Sequence, residues 1–141
     1  MPMYRTTQPI ASSPEIVWER ISNVVAWPVW LPTVSSVTPL DANSLQLGAR
    51  FRVTQPKLRP AIWRVTDLQP GRAFVWQSGA PGLAMEATHV VRPTGPTDCE
   101  LTLEFRFSGL IAPLVALFAG AITQRYIETE AATCKTLAEN R

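Results

Sequence analysis

The sequence predicts an α+β fold of two layers, in which a strongly curved antiparallel sheet grips one long C-terminal helix. Three observations carry that prediction. The tail from Ala112 to about Ala138 contains no proline after Pro113, which sits where a first-turn proline belongs. Between Val34 and Phe107 the apolar residues recur with period two, in segments separated by tight turns, the pattern of an antiparallel meander. The inward positions of the meander carry Phe51, Trp63, Phe74, Trp76, Met85, Leu103 and Phe105, which must be covered, and only the C-terminal segment is long enough to cover them.

Taken in order, Met3 to Ile10 reads as a first strand, with Tyr4, Thr6 and Thr7 favouring extended backbone. A short helix follows to about Ser22. It starts either with Ser12 and Glu15 at capping-box spacing or with Ser13 as cap and Pro14 at the first helical position. Trp27-Pro28-Val29-Trp30-Leu31-Pro32 holds two prolines that forbid a long helix, so it is expected to form a second short helical turn carrying two indoles. Strands are then expected at Ser35–Leu40, with Pro39 pointing to a sheet edge, at Arg50–Thr54 and at Ile62–Thr66. Three more follow: one through Phe74, Trp76 and Ser78, one through Met85, Ala87, His89 and Val91, and one from Cys99 to Phe107. Gln69-Pro70-Gly71-Arg72 fits a type II turn, Gly79–Gly82 makes another turn, and Arg92 to Asp98 reads as a loop. The closing helix spans roughly 27 residues, about 40 Å. On a wheel, Leu114, Val115, Phe118, Ile122 and Tyr126 share its apolar side, whereas Gly120, Gln124 and Glu128 lie away from it.

With 141 residues, the chain is expected to form one domain, residues 1–141, large enough for a core. A net charge of +2 is too small to imply a nucleic-acid partner. Arg50, Arg52, Lys57, Arg59 and Arg64 alternate with inward apolar residues and read as a solvated face. One histidine and two isolated cysteines, Cys99 and Cys134, make no metal spacing, so no metal or cofactor is expected. Gly-x-Ser-x-Gly, Gly-x-Gly-x-x-Gly and P-loop patterns are all missing from the sequence. The N-terminal residues lack the apolar core of a signal peptide, and the run from Gly109 to Ile122 is too short to span a bilayer. A cytoplasmic location with reduced thiols is expected.

Three features are candidates for chemistry. By strand alternation His89 shares the inner face with Met85 and Ala87, either as a hydrogen-bonding or acid–base group in a cavity or as a satisfied core histidine. On the wheel, Arg125 falls inside the apolar arc. It either anchors an acidic ligand group, with Tyr126 adding a hydrogen bond, or lies at the margin with its head in water, as long cations usually do. Five tryptophans, four of them projecting toward one space opposite an alanine-rich helix, either fill that space or wall a ligand cavity.

The chain resembles the START-like, or Bet v 1-like, superfamily, with its polyketide cyclase/dehydrase and lipid-transport group. The resemblance rests on the element order and on Ser13-Pro14-Glu15-Ile16-Val17-Trp18, Trp27-Pro28-Val29-Trp30, Gly48-Ala49-Arg50-Phe51 and Thr88-His89. It implies a helix-grip fold with a ligand cavity between sheet and C-terminal helix, and it carries no catalytic motif onto this chain. Two functional readings follow. The first is binding or transport of a hydrophobic small molecule: a lipid, polyketide or aromatic compound. The second is a cofactor-independent polyketide cyclase, dehydratase or hydrolase with His89 as acid or base, paired with Ser78, Tyr126 or Glu130. The residues expected to line the ligand site are Trp27, Trp30, Phe51, Val53, Trp63, Val65, Trp76, Met85, His89, Leu103, Phe105, Phe118, Ile122, Arg125 and Tyr126. The entrance is expected between the Trp27–Pro32 segment and the strand turns. Nothing in the sequence favours a protein-interaction module or fixes an oligomeric state.

Overall fold

The computed structural model describes residues 2–140. Strand β1 (Met3–Ile10) leads into α1 (Pro14–Ser22), a 3-10 turn (Val24–Ala26) and the single turn α2 (Trp27–Trp30). Six strands follow: β2 (Ser36–Pro39), β3 (Arg50–Thr54), β4 (Ala61–Gln69), β5 (Ala73–Ala80), β6 (Leu83–Gly95) and β7 (Asp98–Ser108). The chain then forms α3 (Ala112–Glu139). The strands make one seven-stranded antiparallel sheet in the order β1-β7-β6-β5-β4-β3-β2. This is the helix-grip arrangement: a meander whose last strand pairs with the first, with α3 laid across β1 and β7.

Local chemistry sets the boundaries. Ser13 caps α1, its Oγ accepting the Ile16 N–H at 3.3 Å, and Pro14 takes the first turn, so the Ser13 alternative is the one formed. Pro39 lies on the edge strand β2, where its missing N–H costs no ladder bond. Gly71 has a φ of 81°, as the Pro70-Gly71 turn demands. β6 continues through Gly95, over much of the segment expected to be a loop. The reason is the β6–β7 hairpin, which absorbs Pro93 at a register shift between Pro93 and Gly95 and is pinned by the cross-strand pair Arg92–Glu100.

The phase of α3 is the main departure from the wheel. Its buried line is Ala112, Gly120, Thr123, Ile127, Ala131, Cys134 and Ala138, mostly small residues. Gly120 leaves room for the Tyr4 ring of β1, which a Cβ would meet. Close seating on β1 and its Tyr4 ring selects small side chains, whereas the wheel follows the largest apolar ones. Leu114, Leu117 and Phe118 therefore face outward, Leu117 and Phe118 being 77% and 80% exposed.

Candidate functional site

A cavity of about 230 Å³ lies between the sheet and the first five turns of α3. Its floor comes from alternate residues of adjacent strands. Register pairs Trp76 of β5 with Ala87 of β6, and Ala87 in turn with Phe105 of β7, while His89 stands opposite Leu103. These positions point to one face because side chains alternate along each strand. Val53 and Trp63 extend the floor toward the sheet edge, and Trp27 of α2 and Val34 close that end. The ceiling is the row Val115, Ala119, Thr123 and Ile127, spaced by four along α3, with Tyr126 and Glu130 beside it.

The walls are largely aromatic. Trp76 packs edge-on to Trp27 and Phe74 with centroids 5.4 and 5.5 Å away, and Trp63 lies 5.7 Å from both Trp76 and Phe105. The Trp27 Nε1–H is spent on the Ile21 carbonyl at 3.1 Å, and the Thr123 hydroxyl donates to the Ala119 carbonyl at 2.8 Å. Neither group has a donor left for a ligand, although the Thr123 oxygen can still accept one hydrogen bond from the cavity.

Two polar side chains meet at the inner end. His89 is buried and stacked on Phe74, with centroids 4.0 Å apart and planes within 8°. Its Nδ1 lies 3.4 Å from the Phe74 carbonyl, an acceptor only, so Nδ1 carries the hydrogen and Nε2 presents a lone pair. Glu130 Oε2 stands 3.7 Å from that Nε2, is buried, and has no hydrogen-bond partner. Burial pushes the Glu130 carboxyl up to about 8 and the His89 imidazole down to about 3, where the bond to Phe74 only partly opposes the desolvation. At neutral pH both groups are uncharged and the proton of the pair sits on Glu130. Cys134, one turn further along α3, is likewise pushed up to about 12, first by burial and then by the neighbouring Glu130.

The partly exposed members of the lining locate the mouth. Gln55, Leu58, Arg59, Met85, Phe105, Val115, Ala119 and Tyr126 all keep some contact with solvent, whereas Trp27, Val34 and Val53 are buried. The opening lies between the β3–β4 loop and the first half of α3, not at the Trp27–Pro32 segment, whose indole plugs its end. Tyr126 clasps this edge by donating its hydroxyl to the Pro56 carbonyl, and Gln55 donates to the Thr33 carbonyl at 3.2 Å.

Of the residues expected from sequence, Trp27, Val53, Trp63, Trp76, Met85, His89, Leu103, Phe105 and Tyr126 converge on the cavity. Phe51 and Val65 lie in the core beside it, Phe51 with its ring 6.1 Å from Trp76. Trp30 points away, over the Arg20 guanidinium at 5.5 Å, in a shallow recess with Ile16 and Asn23. Phe118, Ile122 and Arg125 stand outside the cavity because α3 seats on its small-residue stripe, and Arg125 reaches solvent as a marginal cation does. Of the row Val115, Ala119, Thr123 and Ile127, only Val115 stands on the apolar side of the wheel; the other three carry no signal there beyond a spacing of four next to Gly120. Among the described residues, no three His, Cys, Asp or Glu side chains gather as metal ligands would.

Comparison with known proteins agrees with this architecture. The sequence profile of the family described as "Polyketide cyclase / dehydrase and lipid transport" matches residues 1–139. No curated protein sequence matches the chain. An aromatase/cyclase from a Streptomyces strain superposes with a TM-score of 0.82 at 18% identity, covering 99% of this chain and 94% of that one. Norcoclaurine synthase from Thalictrum flavum, in complex with dopamine and hydroxybenzaldehyde, gives 0.76 at 15% identity over 96% of this chain and 85% of its own. The XoxI protein of Bacillus cereus gives 0.72 at 20% identity over 98% and 96%. At these identities the likeness is one of fold.

Proposed function

Since the chain belongs to the polyketide cyclase / dehydrase and lipid transport family, we propose that it binds a small, uncharged, largely aromatic molecule, with one hydroxyl leading into the inner end of the cavity and the rings behind it. The observation that carries this reading is the unpartnered Glu130 Oε2 facing the His89 Nε2 lone pair within an aromatic wall. A buried polar atom without a partner costs about 1–3 kcal/mol, which a ligand group recovers by bonding to it. A hydroxyl matches both neighbours: it accepts the proton of Glu130 and donates its own to His89. A carboxylate would face a site that gains nothing from negative charge. A volume near 230 Å³ lies below the roughly 300–1,000 Å³ of sites for drug-sized ligands, so one or two rings fill it.

Titration calorimetry of 2-naphthol, 2-methoxynaphthalene and 2-naphthoate at neutral pH tests the reading. The naphthol is expected to bind at least tenfold more tightly than the other two, and Glu130→Leu to abolish that preference. Equal affinities in the unsubstituted protein would sink the assignment of the polar end.

A second reading is favoured by the same pair. A protonated Glu130 beside a neutral His89 is an acid next to a base, the requirement for enolising a ketone and expelling water from its aldol. Glu130 would protonate the carbonyl oxygen while His89 removes a proton from the adjacent carbon, leaving carboxylate and imidazolium. An imidazole pushed to about 3 is a weak base at neutral pH, which places this reading second. Dehydration of a β-hydroxyketone that stops in His89→Ala, while naphthol binding persists, would reverse the order.

A further inference from the structure

We propose that the outer face of the first half of α3, with the adjoining β3–β4 loop, docks on the surface of an anionic lipid bilayer and sets the cavity mouth against it. Leu110 is 95% exposed, Leu117 77% and Phe118 80%, and Leu114 and Ile111 are exposed beside them. This is a projecting ridge, since α3 buries its small residues on β1 and turns its large ones outward. No charged residue occurs between Arg106 and Arg125, so nothing along the ridge opposes burial in an apolar phase. Contiguous apolar exposure on this scale marks an interaction surface.

The charges at its margin choose the partner. Lys57 and Arg59, on the loop that Tyr126 ties to α3, and Arg125, on the ridge side of α3, are exposed and make no ion pair among the described residues. Glu128 lies a turn beyond and accepts a hydrogen bond from Gln124. Projecting leucines and a phenylalanine flanked by unpaired cations are the make-up of an interfacial anchor on acidic headgroups. A second copy of this chain would bring the same three cations against each other. Val115 and Ala119 of α3 and Leu58 of the loop line both the cavity and its opening, so docking there lets an apolar ligand pass between bilayer and cavity without crossing water.

Co-sedimentation of the full chain with vesicles tests the proposal without any cavity ligand, so it stands or falls apart from the reading of Glu130 and His89. Phosphatidylcholine vesicles containing phosphatidylglycerol are expected to pellet the protein, and pure phosphatidylcholine to do so several-fold less well. Added salt should erase most of the difference. Lys57→Ala is expected to weaken binding about fivefold, and Leu117→Ser about tenfold, with unfolding temperatures unchanged because both side chains are exposed. Three results would overturn the proposal: no pelleting by acidic vesicles, pelleting indifferent to Leu117→Ser, or a dimer in sedimentation equilibrium that Leu117→Ser converts to monomer.

Discussion

At the scale of single residues, the cavity depends on two groups held in their uncharged forms. Glu130 has an ordinary value of 4.5 and is raised to about 8 by burial. Between those pH values the unfolded chain releases a proton that the folded one keeps, so the contribution to stability is complete below 4.5 and is lost as pH rises toward 8. His89 works in the opposite direction. Its value is lowered from 6.5 to about 3, so stability is lost as pH falls through that range. Unfolding temperature measured across pH should therefore show both limbs. Glu130→Gln is expected to remove the alkaline limb and to stabilise the protein at pH 8 by on the order of a few kcal/mol, since each pH unit by which the carboxyl is raised corresponds to about 1.4 kcal/mol. Parallel profiles for the two proteins would contradict the burial of a neutral carboxyl.

The inward direction of His89 is legible from the alternation of β6. Its distance from Glu130 is not, because it depends on the turn of α3 that comes to lie above β6. Trp30 shows the same limit in reverse. One residue past Pro28 and Val29 on a single helical turn, it points away from Trp27, and the sequence alone does not reveal the phase of so short a helix.

Among the elements, Pro113 places α3 almost to the residue, yet the helix is rotated away from its expected phase. A wheel weighted by side-chain size chooses Leu114, Phe118 and Ile122, whereas the helix buries the stripe from Gly120 to Ala138, with the Tyr4 ring of β1 pressed against Gly120. Gly120 and the alanines are the signal, since small residues repeated along one line mark close approach as well as low hydrophobicity. The start of α3 is fixed by Gly109, whose φ of 106° and contact with the Gly82 backbone leave no space for a Cβ. The Ile111 N–H then donates to the Gly82 carbonyl at 3.1 Å, locking the helix start to the β5–β6 turn. Gly109→Ala should cost about 1–3 kcal/mol in chemical denaturation, and a neutral result would mean this junction yields easily.

Among the described residues, one side-chain hydrogen bond, from Tyr126, holds the β3–β4 loop to α3. Tyr126→Phe should free the loop, raising amide exchange at Leu58 and Arg59 and speeding ligand entry and release several-fold with little change in overall stability. Unchanged exchange would show that backbone contacts hold the loop without the clasp.

For the whole molecule, the meander from β2 to β7, the edge position of β2 and the gripping helix follow from period-two patterning and turn chemistry, whereas the pairing of β1 with β7 is a long-range contact that no local pattern marks. The cavity does not, because its volume is the gap left when a curved sheet meets a helix carrying alanine at position 119 and threonine at 123. The same residues on a flatter sheet would fill the space. The outward ridge from Leu110 to Phe118 is hidden for a related reason: exposed leucines on a long amphipathic helix read as core until the strand beneath is known to prefer small residues.

The central claim is that the space between sheet and α3 receives a small aromatic molecule, and calorimetric titration of 2-naphthol into the native protein and into Ala119→Phe tests it most directly. Ala119 is part of the cavity ceiling, and a phenyl ring there occupies the volume the ligand needs. The expected result is a single site in the native protein with a negative heat-capacity change, the mark of apolar burial. Binding to Ala119→Phe should be lost although that protein unfolds at a similar temperature. Equal binding to both proteins, or none to either, would contradict the assignment of this cavity as the ligand site.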